Sequence, residues 1–163
     1  MMTASNAAQR AARYLQQMDD RAESGRMRLD HYARMARTIA DVPIGVVTFA
    51  TLTGVQIRGQ AGVPDRPDEI PSHIAFCTHA LQERGTVYIP DLAADVRFTD
   101  HPEVRAGARL RFYAAAPLLV DEQPAIGCLC LLDYRPRELT TAQLRAVRLL
   151  GDDLQRELGR SIA

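Results

Sequence analysis

Between positions 76 and 133 the chain gathers the side chains that could bind or react. They are Phe76, Cys77 and His79, an Asp91, Asp95, Arg97 and Phe98 block spaced D-x-x-x-D-x-R-F, then Arg111 and Tyr113, and finally Cys128 and Cys130. The planar fork of Arg97 suits a carboxylate such as Asp133 or a small anionic ligand. Asp91 and Asp95 lie where regular patterning is weak, and carboxylates there accept nearby N–H groups in Asx-type turns, a structural duty that is their favoured reading. On a strand, Arg111 and Tyr113 share one face and Phe112 takes the other, which is how a small-molecule cavity acquires a few donors on an apolar floor. The competing reading leaves Arg111 at a wet strand end and packs Tyr113 in the core.

The thiols allow two chemistries. Cys77, His79, Cys128 and Cys130 are zinc-ligand types, but C-x-H on a helix and C-x-C on a strand lack the usual spacing, and His79 projects from a different helical side than Cys77. No metal site is expected. Redox chemistry needs an accessible thiol of low pKa, whereas Cys128 and Cys130 share a strand face with Ile126 and Leu132, where a free thiol packs as a small hydrophobe. His31 and His101 need nothing beyond solvated helix or loop positions.

Composition excludes other chemistries. All 20 basic residues are Arg, so Schiff-base, phosphate-loop and kinase-strand lysines are absent. Ser occurs only at positions 5, 24, 72 and 161, beside helix ends or the chain end, and glycine-rich nucleotide loops, H-E-x-x-H and calcium loops do not occur. Twenty acids balance the arginines, which argues against a nucleic-acid or anionic-membrane surface. No apolar run approaches the ~18 residues of a membrane span, and the N-terminus lacks a signal-peptide core, so a cytoplasmic protein with reduced thiols is expected.

The elements that must position these residues follow from periodicity. Residues 5–22 read as an amphipathic helix capped by Ser5, with Ala8, Ala11, Ala12, Leu15 and Met18 on one stripe, and Gly25 marks a break. A second helix runs from 26 to 40 and ends before Pro43. Ile44–Thr51 and Val55–Arg58 form a β-hairpin, 60–71 a loop, and 73–84 a helix capped by Ser72. Residues 86–90 make a short strand, and 91–108 are irregular with at most a helical turn near Pro102. Leu110–Val120 and Ala125–Asp133 are apolar on both faces, marking central strands joined around residues 121–124. Thr140 and Gln143 have capping-box spacing before a terminal helix carrying Leu144, Val147, Leu150, Leu154 and Leu158. The sum is an α+β domain with helices at both chain ends.

Five segments taken together resemble the GAF domain family, in particular bacterial GAF domains of sensor kinases and diguanylate cyclases. They are Phe76-Cys77-Thr78-His79, Pro90-Asp91 with Asp95-Val96-Arg97-Phe98, His101-Pro102-Glu103-Val104, the run Arg111 to Leu118, and the run Ile126 to Asp133. The resemblance covers about residues 26 to 160. It implies a PAS-related fold, a six-stranded antiparallel sheet with N- and C-terminal helices on one face and loops and short helices over the other. It also implies a small-molecule cavity under those loops and dimerisation through the terminal helices. Ala115 stands where the family commonly has Gly, and Cys128 where it often has Thr or Ser. Neither a cyclic-nucleotide motif nor the phytochrome chromophore cysteine is evident, so the cofactor is left unknown.

The expected organisation is an N-terminal amphipathic helix over 1–24 as a dimerisation element, and a GAF domain over 25–163. The expected function is a stand-alone, non-catalytic sensory module that binds a small molecule through Phe76, Cys77, His79, Asp95, Arg97, Phe98, Arg111, Tyr113 and Cys130. With no output domain in 163 residues, it would signal through a homodimer or a protein partner. The alternatives are a cysteine-dependent free methionine sulfoxide reductase, with Cys77 attacking and Cys128 or Cys130 resolving, and a non-binding dimerisation scaffold. The sensory reading requires an open hollow between the sheet and its cover, with Arg97 and Arg111 not both neutralised inside the protein.

Overall fold

The computed structural model describes residues 4–19, 22–63, 65, 69–71, 75–120 and 124–160. The elements are α1 (Ala4–Asp19), α2 (Ala22–Ala40), β1 (Ile44–Ala50), β2 (Gly54–Ala61), β3 (Glu69–Pro71), α3 (Phe76–Ala80), β4 (Val87–Ile89), α4 (Pro102–Arg105), β5 (Phe112–Leu118), β6 (Gly127–Asp133) and α5 (Thr141–Arg160). One six-stranded sheet runs β3-β2-β1-β6-β5-β4, and every neighbouring pair is antiparallel.

The central strands β1, β6 and β5 are apolar on both faces because both faces are covered. One face carries Val47, Phe49, Phe112, Ala114, Ala116, Leu118, Leu129 and Leu131 into a core shared with α1, α2 and α5. The opposite face carries Val46, Tyr113, Ala115, Cys128 and Cys130 into a second core, closed by α3, β4 and residues 92–110. Period-two alternation therefore assigns each strand residue to one of two layers. The β1–β2 register shifts between Val47 and Thr48, a bulge that leaves Arg58 without an opposite number.

Helix α2 lies close on the sheet. A Cβ at Gly45 would come within 2.3 Å of the Ala33 carbonyl oxygen, and one at Gly59 within 2.6 Å of the Leu29 backbone. The helix runs through the buried Gly25 rather than breaking there. Glycine costs a helix about 1 kcal/mol relative to alanine, which the packed stripe of Leu29, Tyr32, Ala33 and Ala36 outweighs. Its end follows the Schellman pattern before Pro43: Asp41 takes the left-handed conformation (φ 53°), Val42 N–H donates to Arg37 O at 3.2 Å, and Asp41 N–H donates to Thr38 O at 3.3 Å. Helix α5 starts on the expected capping box, with Gln143 N–H donating to Thr140 Oγ1 at 3.0 Å and Thr140 N–H to Gln143 Oε1 at 2.9 Å.

Other boundaries differ from expectation. The stretch expected as a loop over 60–71 ends in β3, which pairs with the start of β2. The helix expected over 73–84 contracts to five residues, 76–80. Capping by Ser5 and Ser72 and the turn at 121–123 fall on residues or side chains outside the described set.

Candidate functional site

The face of the sheet away from the long helices is the expected location of a site, and its cover satisfies its own polar groups. Asp91 accepts Ala93 N–H at 3.1 Å, and Asp95 accepts Arg97 N–H at 2.9 Å, which are the Asx turns anticipated for both. Each carboxylate also takes an arginine side on. Arg111 Nε and Nη2 reach the two oxygens of Asp91 at 3.0 and 3.1 Å, and Arg97 Nε and Nη2 reach those of Asp95 at 3.0 and 2.7 Å. The Arg111 bonds hold the Asp91 carboxyl below its ordinary pKa, and the Arg97 bonds do the same for Asp95. Arg97 thus pairs with Asp95 and not with Asp133, whose Oδ2 lies 3.6 Å from Arg137 Nε.

Beneath this cover the space holds side chains. The Phe76 ring sits 5.5 Å from Tyr113, 5.6 Å from Phe98 and 4.2 Å from His101, the last stacked at 23°. His101 is thus no solvated bystander: besides stacking, its Nδ1 accepts Glu103 N–H and caps α4. Tyr113 is fully buried, its hydroxyl 3.6 Å from Cys130 Sγ, and Cys130 Sγ is 3.1 Å from Cys77 Sγ. Cys128 and Thr48, opposite each other across β1 and β6, complete the polar centre of this core. Burial pushes Tyr113 and Cys130 well above their ordinary values, whereas hydrogen bonds from Cys128 and then Cys130 hold Cys77 below its own.

Of the nine residues predicted to meet a ligand, Phe76, Cys77, Phe98, Tyr113 and Cys130 form one packed cluster, and Asp95, Arg97 and Arg111 are engaged in ion pairs at its rim. His79 faces outward from α3, its Nε2 accepting from Arg97 Nη1 at 3.1 Å. His79 and Arg97 line a surface recess of about 270 Å³ together with Glu83 and Tyr88. Among the described residues no group of three His, Cys, Asp or Glu is placed to hold a metal ion.

A larger cavity, about 490 Å³, opens at one end of the sheet. Its walls are the β1–β2 turn (Thr51, Leu52, Gly54), the C-terminal half of α3 and the residues after it (Thr78, Leu81, Gln82), the chain around Pro124, and Ala7 of α1. Thr78 contributes to this wall, while its Oγ1 is buried away from the open space without a hydrogen-bond partner. No motif marks these residues: the cavity is bounded by the β1–β2 turn, the end of a short helix, and Pro124 and Ala125, segments far apart along the chain whose meeting no spacing rule encodes.

The profile of the GAF domain family matches residues 25–158. The chain belongs to the GAF domain family. Across 63% of its length it is 32% identical to the cyclic di-GMP phosphodiesterase PA2567 of Pseudomonas aeruginosa, of which the matched segment is 17%. The chain therefore spans about a sixth of that relative. Its fold superposes on the blue-light-absorbing form of the PixJ GAF domain of Thermosynechococcus elongatus, with a TM-score of 0.68 at 14% identity, covering 90% of this chain and 89% of that one. It also superposes on residues 122 to 287 of a methyl-accepting chemotaxis protein, with a TM-score of 0.66 at 18% identity and coverage of 93% and 95%. At such identities the likeness concerns the fold, an α+β GAF sheet with helices on one face and short elements on the other.

Proposed function

We propose that this GAF domain is a non-catalytic sensory module whose small-molecule site is the cavity at the end of the sheet rather than the cluster beneath residues 91–111. The observation that carries this reading is the open volume itself, about 490 Å³ between the β1–β2 turn, Leu81 and Pro124, whereas the core under residues 91–111 is filled by its own side chains. The same cavity touches Ala7 of α1, so its contents have a direct route to a terminal helix. A ligand shifts that helix only if it binds two arrangements of it with unequal affinity. The nine residues expected to contact ligand then form the frame that holds α3 in place.

Dimerisation through the terminal helices belongs to the same proposal, and so does the division into an N-terminal helix and a GAF domain. Of the α1 stripe that suggested a dimer, Ala8, Ala11 and Leu15 are buried within the chain beside Ala7 and Tyr14, while Ala12 is exposed. A dimer would use outward residues instead, such as Met27 on α2 and Leu149 on α5, which are 71% and 57% exposed. Sedimentation velocity of the Leu149→Glu protein tests this, and an oligomeric state equal to wild type would remove α5 from the interface.

Native mass spectrometry of the purified protein, with thermal shift across a panel of small metabolites, tests the ligand site. Wild type is expected to carry or respond to a small molecule, and Leu81→Trp, which fills the cavity, not to respond. The closed core under residues 91–111 favours a second reading, a scaffold that binds nothing there. Absence of any bound mass or shift in wild type would support it. Methionine sulfoxide reduction finds little support, because Cys77 lies in the packed core and lines neither of the cavities described above, so an amino-acid-sized substrate has no place beside it.

A further inference from the structure

The three cysteines are the one chemically reactive set that the ligand reading leaves unused. Strand alternation places Cys128 and Cys130 two apart on β6, both facing α3, and α3 lays Cys77 over them. Cys77 Sγ and Cys130 Sγ stand 3.1 Å apart, so forming a disulfide of about 2.05 Å requires the sulfurs to approach by only about 1 Å. Cysteines that serve as packing alone need no such convergence, since a thiol's apolar contacts can be met by any neighbour.

We propose that Cys77 and Cys130 form a peroxide-oxidisable dithiol that closes to an intramolecular disulfide and locks α3 onto β6. This goes beyond the ligand reading and does not depend on it. The Cys77 thiolate attacks one oxygen of hydrogen peroxide; an S–O bond forms, the O–O bond breaks, and the departing hydroxide takes a proton to leave as water. The Cys130 sulfur then attacks the Cys77 sulfenic acid. The S–S bond forms, the S–O bond breaks, and the leaving hydroxide combines with the Cys130 proton as a second water. Two thiols are oxidised by two electrons in all, and one peroxide is reduced to two waters.

Two structural features support Cys77 as the sulfur attacked first. The neighbouring thiols act as hydrogen-bond partners that favour its charged form, while burial disfavours charge on Cys130. Access comes through α3, which is five residues long and has no side-chain cap at Ala75, so it can open locally without unfolding the sheet.

The test is peroxide treatment of the folded protein, alkylation of remaining thiols, trypsin digestion and mass spectrometry. Because Arg–Pro bonds at 66–67 and 135–136 resist trypsin, Cys77 lies in peptide 59–84, and Cys128 and Cys130 share peptide 112–137. The expected result is loss of two of the three thiols, a single cross-link between these peptides assigned to Cys77 and Cys130 by fragmentation, and its reversal by dithiothreitol. The same link is expected in Cys128→Ser protein. Three thiols still free, a link confined to peptide 112–137, a link between two chains, or loss of the link in Cys128→Ser would each overturn the proposal. Because wild type carries the primary readout, a poorly folding variant leaves the test intact.

Discussion

Tyr113 shows how burial changes the meaning of a polar side chain. Its ring is fully buried against Phe76, and its hydroxyl meets sulfurs, which are weak acceptors, with Cys130 Sγ at 3.6 Å. Removing that hydroxyl in Tyr113→Phe should change stability by less than about 1 kcal/mol, whereas Tyr113→Ala should cost about 3–5 kcal/mol. Urea unfolding of both proteins checks this, and a large loss in the phenylalanine variant would mean the hydroxyl has a role the packing does not show. Asp91 and Asp95 behave differently because each is charged and paired. Both carboxyls lie below the ordinary value of about 3.9, so their contribution is complete above about pH 4 and is lost as pH falls through the folded values. Thermal unfolding followed from neutral to acid pH should therefore fall steeply below about pH 4 in wild type. The Asp91→Asn/Asp95→Asn protein should start lower at neutral pH and lose less on acidification, and parallel curves would contradict the role given to these ion pairs.

At the scale of elements, the contact of α2 with β1 depends on what is missing from position 45. With the Ala33 carbonyl oxygen 2.3 Å from where a Cβ would stand, Gly45→Ala must push helix and strand apart. The expected cost is about 1–3 kcal/mol, measured by denaturant unfolding, and an unchanged midpoint would show that α2 can slide on the sheet without loss. The opposite face is held differently. Its cover has few regular elements and relies on polar ties: Leu92 N–H to Arg111 O at 2.7 Å, Arg111 N–H to Asp133 O at 2.9 Å, and the two arginine–aspartate forks. Hydrogen exchange should accordingly be faster over residues 91–111 than over β1, β5 and β6, whose amides are paired inside a doubly covered sheet.

For the molecule as a whole, α1 is the part whose role is most open to experiment. It lies wholly outside the span matched by the GAF profile, yet it buries Tyr14 and Leu15 against the helix-side core, and Arg10 Nη1 donates to Pro124 O at 2.8 Å. Arg10 Nη2 also reaches Val120 O, so α1 clasps the hairpin between the two central strands. A chain lacking residues 1–24 should be less stable by several kcal/mol, since each fully buried Leu- or Phe-sized side chain contributes about 1.5–3 kcal/mol, and it should bind a hydrophobic dye. Unchanged melting would show that α1 is an appendage to an independent domain.

The sequence by itself determined the elements whose signal is local or periodic. The doubly apolar runs at 112–118 and 127–133 could only be central strands, the Thr140–Gln143 pair could only start a helix, and Asp91 and Asp95 were legible as turn-makers because their partners lie two residues away. The order of motifs likewise carried the family. Tertiary structure alone decided what was open and what was closed. Whether Arg97 meets a ligand or Asp95, whether Tyr113 lines a hollow or fills one, and whether three thiols converge depends on distances between segments far apart along the chain. Cys77 and Cys130 are 53 positions apart and meet only because a short helix is laid over a strand. Pattern reading sees faces and periods, but the volume between two faces is set by how all their side chains pack together, and no local spacing encodes that sum.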